Sequence, residues 1–521
     1  MRFIDFFDRG AARDLAAPCF VQHETGQAYS YGQIREVTLR TANALRADGY
    51  SIGMKGAVLS PNDALGFACL LAIVRAGMVW VAINPKNAID ENCYILDNFE
   101  CEVLFYHSLF EAAIPAIRKR VPRIRRFVCI DKAGADAPAL ADWVRDHPAS
   151  PFDSGTGPDD LVLLQTTGGT TGVPKGAMHT NRSLEGFFAN MYGVFNFDDR
   201  PPIYLAAAPI THAGGYLALF ALSQGGSVIL QSKIDPELIC AAIEKHRVSF
   251  VYLPPTAIYS LLATPQIKAR DFSSLRYFAY GAAPMSPEKL RECISTFGPV
   301  MQQAFGQTET LFPITYLSRA DHLGPDGLPA GEKRLTSCGR AAPFARVAVM
   351  DDEGNLLPDG ETGEIVVRAT SVMAGYYKNP EETARAGAFG WHHTGDVGYR
   401  DAEGFYFIVD RKKDMIVTGG FNVWSVEVEK VLQSHAAVMD CAVIGIPDSK
   451  WGEAIHAVVE LKPGQTSCSD ELIALCRHRI GSVKAPKSVE FVDALPRSAV
   501  GKVLKRALRD KYWQGRARRV G

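Results

Sequence analysis

The sequence predicts an α/β plus α+β protein. It has a large N-terminal domain of layered α/β sheets with an antiparallel β piece, and a small mobile C-terminal α+β domain. Helix-like and strand-like segments alternate from about residue 30 to residue 310, which is typical of mostly parallel sheets. Strands joined by glycine turns begin near residue 345, and the charged stretch DRKKD precedes a compact final segment. These changes of pattern predict the two domains.

The N-terminal domain is predicted over residues 1–410. Residues 31–48 have apolar side chains at helical spacing. Residues 67–84 are the most apolar stretch, but Arg75 and Gly77 interrupt it. Because a transmembrane helix needs about 20 apolar residues, we interpret this stretch as a buried helix followed by a strand. Further strands are predicted at short apolar runs: GAVLS, VWVAI, VLFYH, FVCI, LVLL, SVIL and FVYLP.

The C-terminal domain is predicted over residues 411–521, and the charged join at residues 410–414 favours a swivel. The last twenty residues carry eight Lys or Arg side chains and one Asp. We interpret them as a solvated helical tail, with binding of an anionic ligand as the alternative. The predicted elements of this domain are a helix at Ser425–His435, strands at Val438–Ile446 and Ile455–Leu461, a helix at Ser469–Ile480 and a strand at Val489–Val492.

Composition limits the classes of function. The 521 residues are 47% hydrophobic and 22% charged, as in ordinary globular proteins. The net charge of −1 gives no global attraction to nucleic acid. Eleven cysteines are scattered without a C-x-x-C pair, and the N-terminal stretch lacks a signal-peptide pattern. We therefore expect a cytoplasmic protein without a transmembrane segment. Peripheral membrane contact and a homodimer stay open.

The most informative short stretch is QTTGGTTGVPKGAM, residues 165–178. A nucleotide P-loop needs G-x-x-x-x-G-K-[ST]. Counted from Gly169, Pro174 stands at the second glycine position and Gly176 at the hydroxyl position. This mismatch excludes the P-loop, because the glycine admits phosphate and the hydroxyl binds Mg²⁺. The threonine hydroxyls, backbone N–H groups and Lys175 still suit phosphate.

TGGTTGVPKG resembles the signature loop of the adenylate-forming superfamily, which includes acyl-CoA synthetases, carrier-loading adenylation domains and luciferases. That loop commonly reads TSGTTGxPKG, so Gly168 departs from the pattern. The resemblance covers about residues 25–512. Its further motifs appear in the superfamily's order: PITHAGG at 209–215, YGAAP at 280–284, FGQTE at 305–309, HTGD at 393–396, DRKKDMIVTGGFNVWSVEVE at 410–429 and PRSAVGKVLKR at 496–506.

The resemblance implies three catalytic residues. Lys502 would stabilise charge between the attacking carboxylate and the α-phosphate, and His212 would lie at the acyl end. Glu309 would bind Mg²⁺ together with Thr167. The residues implied for the nucleotide and for CoA are Thr167, Gly168, Gly169, Thr170, Thr171 and Lys175 in the phosphate loop, Gly281, Ala282, Ala283, Gln303, Phe305, Gly306 and Thr308 near the adenine, Asp396 and Arg411 at the ribose, Lys413 at the hinge, and Gly419 and Gly420 beside the pantetheine.

The implied activity is that of an ATP- and Mg²⁺-dependent acyl-CoA synthetase. The acid and ATP would give acyl-AMP and pyrophosphate, and CoA would then give acyl-CoA and AMP. Rotation of the small domain about Lys413 would withdraw Lys502 between the two steps. Small residues at 206–208 and 213–215 predict a roomy pocket for a medium- or long-chain, polycyclic or aromatic acid.

Three other functions are weighed. A stand-alone ligase that loads a carrier protein is the main alternative. A luciferase-type oxygenase would use the same adenylate, but no feature of the sequence requires it. A non-catalytic nucleotide-binding regulator is disfavoured because Lys502, Glu309, Asp396 and Arg411 are all retained.

Overall fold

A computed structural model describes residues 1–167, 174–197, 200–210, 213–497 and 503–514. Contacts divide the chain into two compact units. Unit 1 comprises Met1–Arg346 and Val367–His392, and unit 2 comprises Val347–Val366 and the chain from His393 onward. The domain boundary predicted between residues 410 and 411 marks the point about which the C-terminal domain would rotate. This boundary stays a prediction.

The helices of unit 1 are α1 (Phe3–Ala11), α2 (Tyr31–Ala47), α3 (Ala64–Arg75), α4 (Ile89–Asn98), α5 (Ile114–Arg120), α6 (Leu140–Trp143), α7 (Asn181–Val194), α8 (Ala213–Ser223), α9 (Pro236–His246), α10 (Pro255–Leu262), α11 (Pro287–Phe297), α12 (Glu332–Leu335) and α13 (Pro380–Ala386). Those of unit 2 are α14 (Ser425–Gln433), α15 (Ser469–Lys484) and α16 (Lys505–Asp510).

The strands are β1 (Pro18–Gln22), β2 (Ala28–Ser30), β3 (Lys55–Leu59), β4 (Val79–Ala82), β5 (Cys101–Tyr106), β6 (Arg126–Cys129), β7 (Leu161–Thr167), β8 (Lys175–Thr180), β9 (Ile203–Ala206), β10 (Ser227–Leu230), β11 (Phe250–Leu253), β12 (Tyr277–Gly281), β13 (Met301–Gln307), β14 (Leu311–Leu317), β15 (Arg340–Ala341), β16 (Ala345–Met350), β17 (Gly363–Ala369), β18 (Gly375–Tyr376), β19 (His392–Arg400), β20 (Tyr406–Arg411), β21 (Ile416–Thr418), β22 (Phe421–Val423), β23 (Val438–Asp448), β24 (Gly452–Leu461) and β25 (Ser488–Val492).

Unit 1 is built on two large sheets. Among the described residues, one sheet has the order β15-β14-β13-β12-β11-β9-β10-β1-β2 and the other β18-β8-β7-β4-β3-β5-β6. Strands β9–β13 and β3–β7 run parallel within their sheets. A central apolar cluster joins helices α1, α2, α3, α7 and α8 to both sheets, while separate clusters cover the outer faces. The predicted layered α/β fold is confirmed.

Local signals explain why two of these helices begin where they do. The Ser30 hydroxyl accepts the Gln33 N–H at 3.2 Å, and the Gln33 side chain accepts the Ser30 N–H at 2.8 Å. This reciprocal capping starts α2. At α3, the Asp63 carboxylate accepts the Gly66 N–H at 2.9 Å. The most apolar stretch folds as α3 and β4, as predicted, and within the described ranges no helix combines the length and apolarity needed to cross a membrane.

Most of unit 2 consists of two sheets. The sheet β16-β17-β19-β20 contains the antiparallel pair β19 and β20. In the second sheet, β24 pairs antiparallel with β23 and parallel with β25, and α14 and α15 share its apolar core. The helices and strands predicted between residues 425 and 492 are confirmed, with ends that differ by up to four residues.

The described part of the tail contains the predicted helix, α16, but it is only partly solvated. Leu508 of α16 is buried in a small apolar cluster with strands β23 and β24. The half-buried Lys505 side chain places its ammonium 2.8 Å from the Glu429 carboxylate and donates to the Ser425 hydroxyl at 2.6 Å. A charge-rich segment looked solvated because its buried partners are distant in sequence.

Candidate active site

The phosphate loop grows from the hairpin of β7 and β8. Thr167 and Lys175 lie opposite each other at the loop end of this hairpin, and Thr167 is only 9% exposed. The next strand residue, Gly176, has a packing reason to be glycine, because a Cβ there would lie 2.5 Å from the Phe99 ring. The predicted ligands Gly168, Gly169, Thr170 and Thr171 lie outside the described residues, as do Lys502 and His212.

Lys175 is held by a neighbouring acid. Its ammonium forms an ion pair with Glu382 of α13, and lies 5.2 Å from the centre of the Tyr376 ring. The hydrogen bond from Lys175 is the largest of the effects that lower the pKa of Glu382. The predicted phosphate ligand therefore already faces an anion on the same unit.

Glu309 is a buried carboxylate that is 8% exposed. The Tyr376 hydroxyl donates to its Oε1 at 2.8 Å, and its backbone carbonyl accepts the Met373 N–H at 2.7 Å. Burial and the charge of Glu309 raise the pKa of Tyr376, which keeps the tyrosine a proton donor. No described residue donates to the other oxygen, Oε2. One held and one available carboxylate oxygen fit the hard-oxygen chemistry of Mg²⁺.

A buried histidine supports the same turn. His179 of β8 is fully buried, and its Nε2 contacts the Thr308 carbonyl at 2.8 Å. Burial lowers the pKa of His179 to about 4, so the ring is neutral and Nε2 carries the hydrogen that the carbonyl accepts. This contact ties β8 to the residue that precedes Glu309.

The residues predicted near the adenine form a tight surface at the end of β12 and β13. A Cβ on Gly281 would lie 2.3 Å from the Ala304 carbonyl oxygen, and one on Gly306 would lie 2.2 Å from that of Leu311. Ala282 has a left-handed φ of 68°, and both Ala282 and Ala283 are exposed.

A polar and an aromatic side chain of β13, Gln303 and Phe305, lie next to this surface. Gln303 Oε1 is buried without a hydrogen-bond partner among the described residues, and Phe305 is half-buried on the same strand. The unpaired amide oxygen of Gln303, beside exposed backbone with small side chains, suits a planar base that carries an exocyclic amine.

In unit 2, the predicted ribose ligands are neighbours. Asp396 and Arg411 lie opposite each other on β19 and β20, with Arg411 Nε 3.0 Å from the Asp396 carboxylate. Asp396 is 4% exposed, and its N–H donates to the Thr394 hydroxyl at 3.1 Å. Strand pairing therefore fixes a buried carboxylate beside a cation, an arrangement suited to accepting hydroxyl groups.

The predicted hinge residue Lys413 lies in a short 3₁₀ turn, Lys412–Asp414. Burial is the largest of the effects that lower the pKa of Lys413. The Arg509 guanidinium donates to the Asp414 carboxylate at 3.1 Å and to the Lys413 carbonyl at 3.4 Å. The turn is thus fastened to α16 within unit 2, and its role as a hinge stays a prediction.

Gly419 and Gly420 form the two-residue turn between β21 and β22, with φ values of 57° and 81°. Two positive φ angles favour glycine in such a hairpin. A Cβ on Gly419 would also lie 2.6 Å from the Trp451 ring, whereas one on Gly420 meets no described atom within 4 Å. Conformation explains both glycines, and passage of pantetheine beside Gly420 stays a prediction.

Tyr376, Glu382 and His179 are three residues that the sequence did not single out. Each acts through a partner far along the chain: Glu309, Lys175 and the Thr308 carbonyl. The pairing of the two-residue strand β18 with β8 brings Tyr376 to this place. No local motif predicts so short a strand.

Two mixed sheets pack about a helical layer, and the glycine surface and Glu309 follow the carboxyl ends of the parallel strands β12 and β13. Ligand-binding α/β enzymes commonly place their sites at this end of the strands. The chain belongs to the AMP-binding enzyme family, whose pattern matches residues 7–377, with the C-terminal domain of AMP-binding enzymes at residues 427–502. The predicted adenylate-forming superfamily is confirmed.

Similar proteins align over nearly the whole chain. A medium/long-chain-fatty-acid–CoA ligase of Mycobacterium tuberculosis is 36% identical over 506 residues, 94% of this chain and 87% of the relative. A feruloyl-CoA synthase of an Amycolatopsis species is 37% identical over 495 residues, 94% of either chain. The ATP-bound structure of MatB from Rhodopseudomonas palustris superposes with a TM-score of 0.88 at 29% identity, covering 98% of this chain and 99% of that one.

Proposed function

We propose that this protein is an ATP-dependent acid:CoA ligase. A carboxylic acid and ATP give acyl-AMP and pyrophosphate, and CoA then displaces AMP to give acyl-CoA. The observation that carries the proposal is the position of Tyr376: its ring lies 5.2 Å from the Lys175 ammonium, and its hydroxyl donates to the Glu309 carboxylate. A candidate phosphate ligand and a candidate metal ligand therefore share one neighbour. Relatives that activate fatty acids and ferulate support the reaction class.

The chain's own residues share the work of the first step. Lys175 and the loop after Thr167 neutralise the departing pyrophosphate, while Lys502 stabilises charge between the acid and the α-phosphate. Mg²⁺ supplies further charge neutralisation when it is bound. Glu309 and Thr167 would hold that ion, and Tyr376 positions Glu309 by its hydrogen bond.

Other residues bind the rest of the nucleotide. Gly281 and Gly306 leave room for the adenine, and the unpaired Gln303 amide oxygen accepts its amine. Asp396 accepts the ribose hydroxyls with Arg411 beside it. His212 lies toward the acid, and Gly420 leaves a path for the pantetheine of CoA.

We also infer that the protein works in the cytoplasm. All eleven cysteines are free thiols, ten of them buried and Cys468 exposed. A reducing compartment keeps such thiols unpaired.

The test of the reaction uses the purified full chain with Mg²⁺, ATP and a panel of acids. Product is measured by mass spectrometry with CoA or with a phosphopantetheinylated carrier protein as the acceptor. Acyl-CoA formation at the higher kcat/KM supports the proposal. Transfer to the carrier alone would establish the carrier-loading alternative instead.

A further inference from the structure

A row of aromatic side chains lies on the inner face of the nine-stranded sheet, against the central cluster. Tyr252 near the end of β11 stacks on Phe312 at the start of β14, with ring centres 5.8 Å apart and planes at 22°. Phe312 in turn meets Phe187 of α7 edge-on at 5.7 Å. Tyr252 and Phe312 are only half-buried, so their rings keep an accessible side.

This pair borders the glycine surface assigned to the nucleotide. The Tyr252 hydroxyl oxygen lies 3.5 Å from where a Cβ of Gly281 would stand, at the carboxyl end of β12. The Phe312 Cβ lies 2.7 Å from the equivalent point on Gly306. Ligands of α/β sheets bind at the carboxyl ends of the parallel strands. The two rings therefore form a wall beside the site where the acid must meet the α-phosphate.

The backbone that presents Phe312 is strained. Leu311 has a φ of 56°, a left-handed conformation that side chains with a Cβ disfavour. Strain of this kind persists where surrounding structure imposes it, often at ligand sites. The Gln307 N–H, which donates to the Thr310 hydroxyl at 3.3 Å, belongs to the same turn.

The Tyr252 hydroxyl has no hydrogen-bond partner among the described residues. Burial raises the pKa of Tyr252 to about 12, so the group is a neutral donor and acceptor. Two nearby tyrosines are paired: the Tyr216 hydroxyl donates to the Gln165 amide oxygen, and that of Tyr277 to the Asn196 carbonyl at 3.1 Å. The Tyr204 hydroxyl on the adjacent strand β9 is, like that of Tyr252, without a partner among the described residues, but it is fully buried. Because Tyr252 is only half-buried, a ligand can reach its unpaired hydroxyl, which the buried Tyr204 hydroxyl does not allow.

We propose that the acid is planar and aromatic and carries a hydrogen-bonding ring substituent, such as a hydroxyl or methoxyl group. Its ring stacks along the wall of Tyr252 and Phe312, and the substituent pairs with the Tyr252 hydroxyl. A saturated chain gains nothing from stacking and leaves that hydroxyl unpaired. This inference rests on the proposed ligase function and names the substrate class of the same site.

The test is acid-dependent ATP–pyrophosphate exchange by the full chain with three probes: 4-hydroxycinnamate, cinnamate and decanoate. We expect 4-hydroxycinnamate to have the highest kcat/KM. Tyr252→Phe should lower that value about 10- to 100-fold, the size of one lost buried hydrogen bond, and change cinnamate less than about threefold. Phe312→Leu should lower kcat/KM for both aromatic acids relative to kcat/KM for decanoate. Tyr94→Phe, on the exposed side of α4, is the matched control and should leave kcat/KM for all three acids unchanged.

Several outcomes would overturn the inference. One is a wild-type preference for decanoate, or for cinnamate over 4-hydroxycinnamate, which needs no variant to be folded. Another is an equal decrease of kcat/KM for both aromatic acids in Tyr252→Phe. Exchange with decanoate alone contradicts the aromatic wall and leaves the ligase function standing. Absence of exchange with every acid contradicts the ligase function itself.

Discussion

Replacing Tyr376 by Phe tests how the carboxylate of Glu309 is held. The substitution removes one hydroxyl, the donor 2.8 Å from Glu309 Oε1, and leaves the ring beside Lys175 in place. Because Glu309 is 8% exposed, water replaces that donor poorly. We expect Mg²⁺ to bind less tightly, since the carboxylate loses the group that orients it.

The magnitude follows from the geometry. A hydrogen bond to a charged group contributes about 1.5–3 kcal/mol, and loss of a residue that orients a metal ligand costs about 10- to 100-fold in affinity. The concentration of Mg²⁺ at half-maximal ATP–pyrophosphate exchange should therefore rise about 10- to 100-fold in Tyr376→Phe. The maximal rate at saturating Mg²⁺ should fall less, because the metal still binds.

The next residue supplies the control. The Tyr377 hydroxyl donates to the Glu100 carboxylate at 2.5 Å, and Glu100 pairs with Lys378 at 2.9 Å, away from Glu309. Tyr377→Phe thus loses the same kind of bond and should lower thermal stability without changing the Mg²⁺ requirement. An unchanged requirement in Tyr376→Phe, or equal shifts in both variants, would refute the reasoning.

Two further predictions concern Lys175 and His179. Glu382→Gln removes the anion that ATP must displace from Lys175, so KM for ATP should fall about fivefold, for a pair worth about 1 kcal/mol. The exposed neighbour Glu381→Gln should leave KM unchanged, and a rise in Glu382→Gln would contradict the idea. Burial lowers the pKa of His179 from 6.5 to about 4, so the unfolded chain binds the proton first and stability should fall as pH drops through that window. In urea denaturation, His179→Gln should reduce the fall of the unfolding free energy with decreasing pH. His478→Gln, at an exposed position, should leave that pH dependence unchanged. The same pH dependence in wild type and His179→Gln would contradict the prediction.

The order of helices and strands could be predicted because it depends on local spacing. The stretch that folds as α3 and β4 shows this, since an arginine and a glycine interrupt its apolar run where the helix ends. The residues that support the site could not be predicted. Tyr376 and Glu309 are 67 positions apart, and the short strand β18 that joins them has no recognisable pattern.

The sequence also did not predict where the charge of Lys505 lies. Lys505 lies in a basic segment that the sequence predicts to be solvated, yet it is half-buried and pairs with the buried Glu429. Only the packing of α16 against β23 and β24 shows where that charge goes. Residue type and neighbours in sequence do not distinguish a solvated lysine from a paired, half-buried one.

The most direct test of the central claim is ATP–pyrophosphate exchange by wild type and Lys502→Ala, with a broad panel of acids in Mg²⁺. The account predicts exchange that depends on at least one acid in wild type and is abolished in Lys502→Ala. That variant should still form thioester from synthetic acyl-AMP and CoA. Absence of exchange with every acid in the wild-type protein would contradict the account.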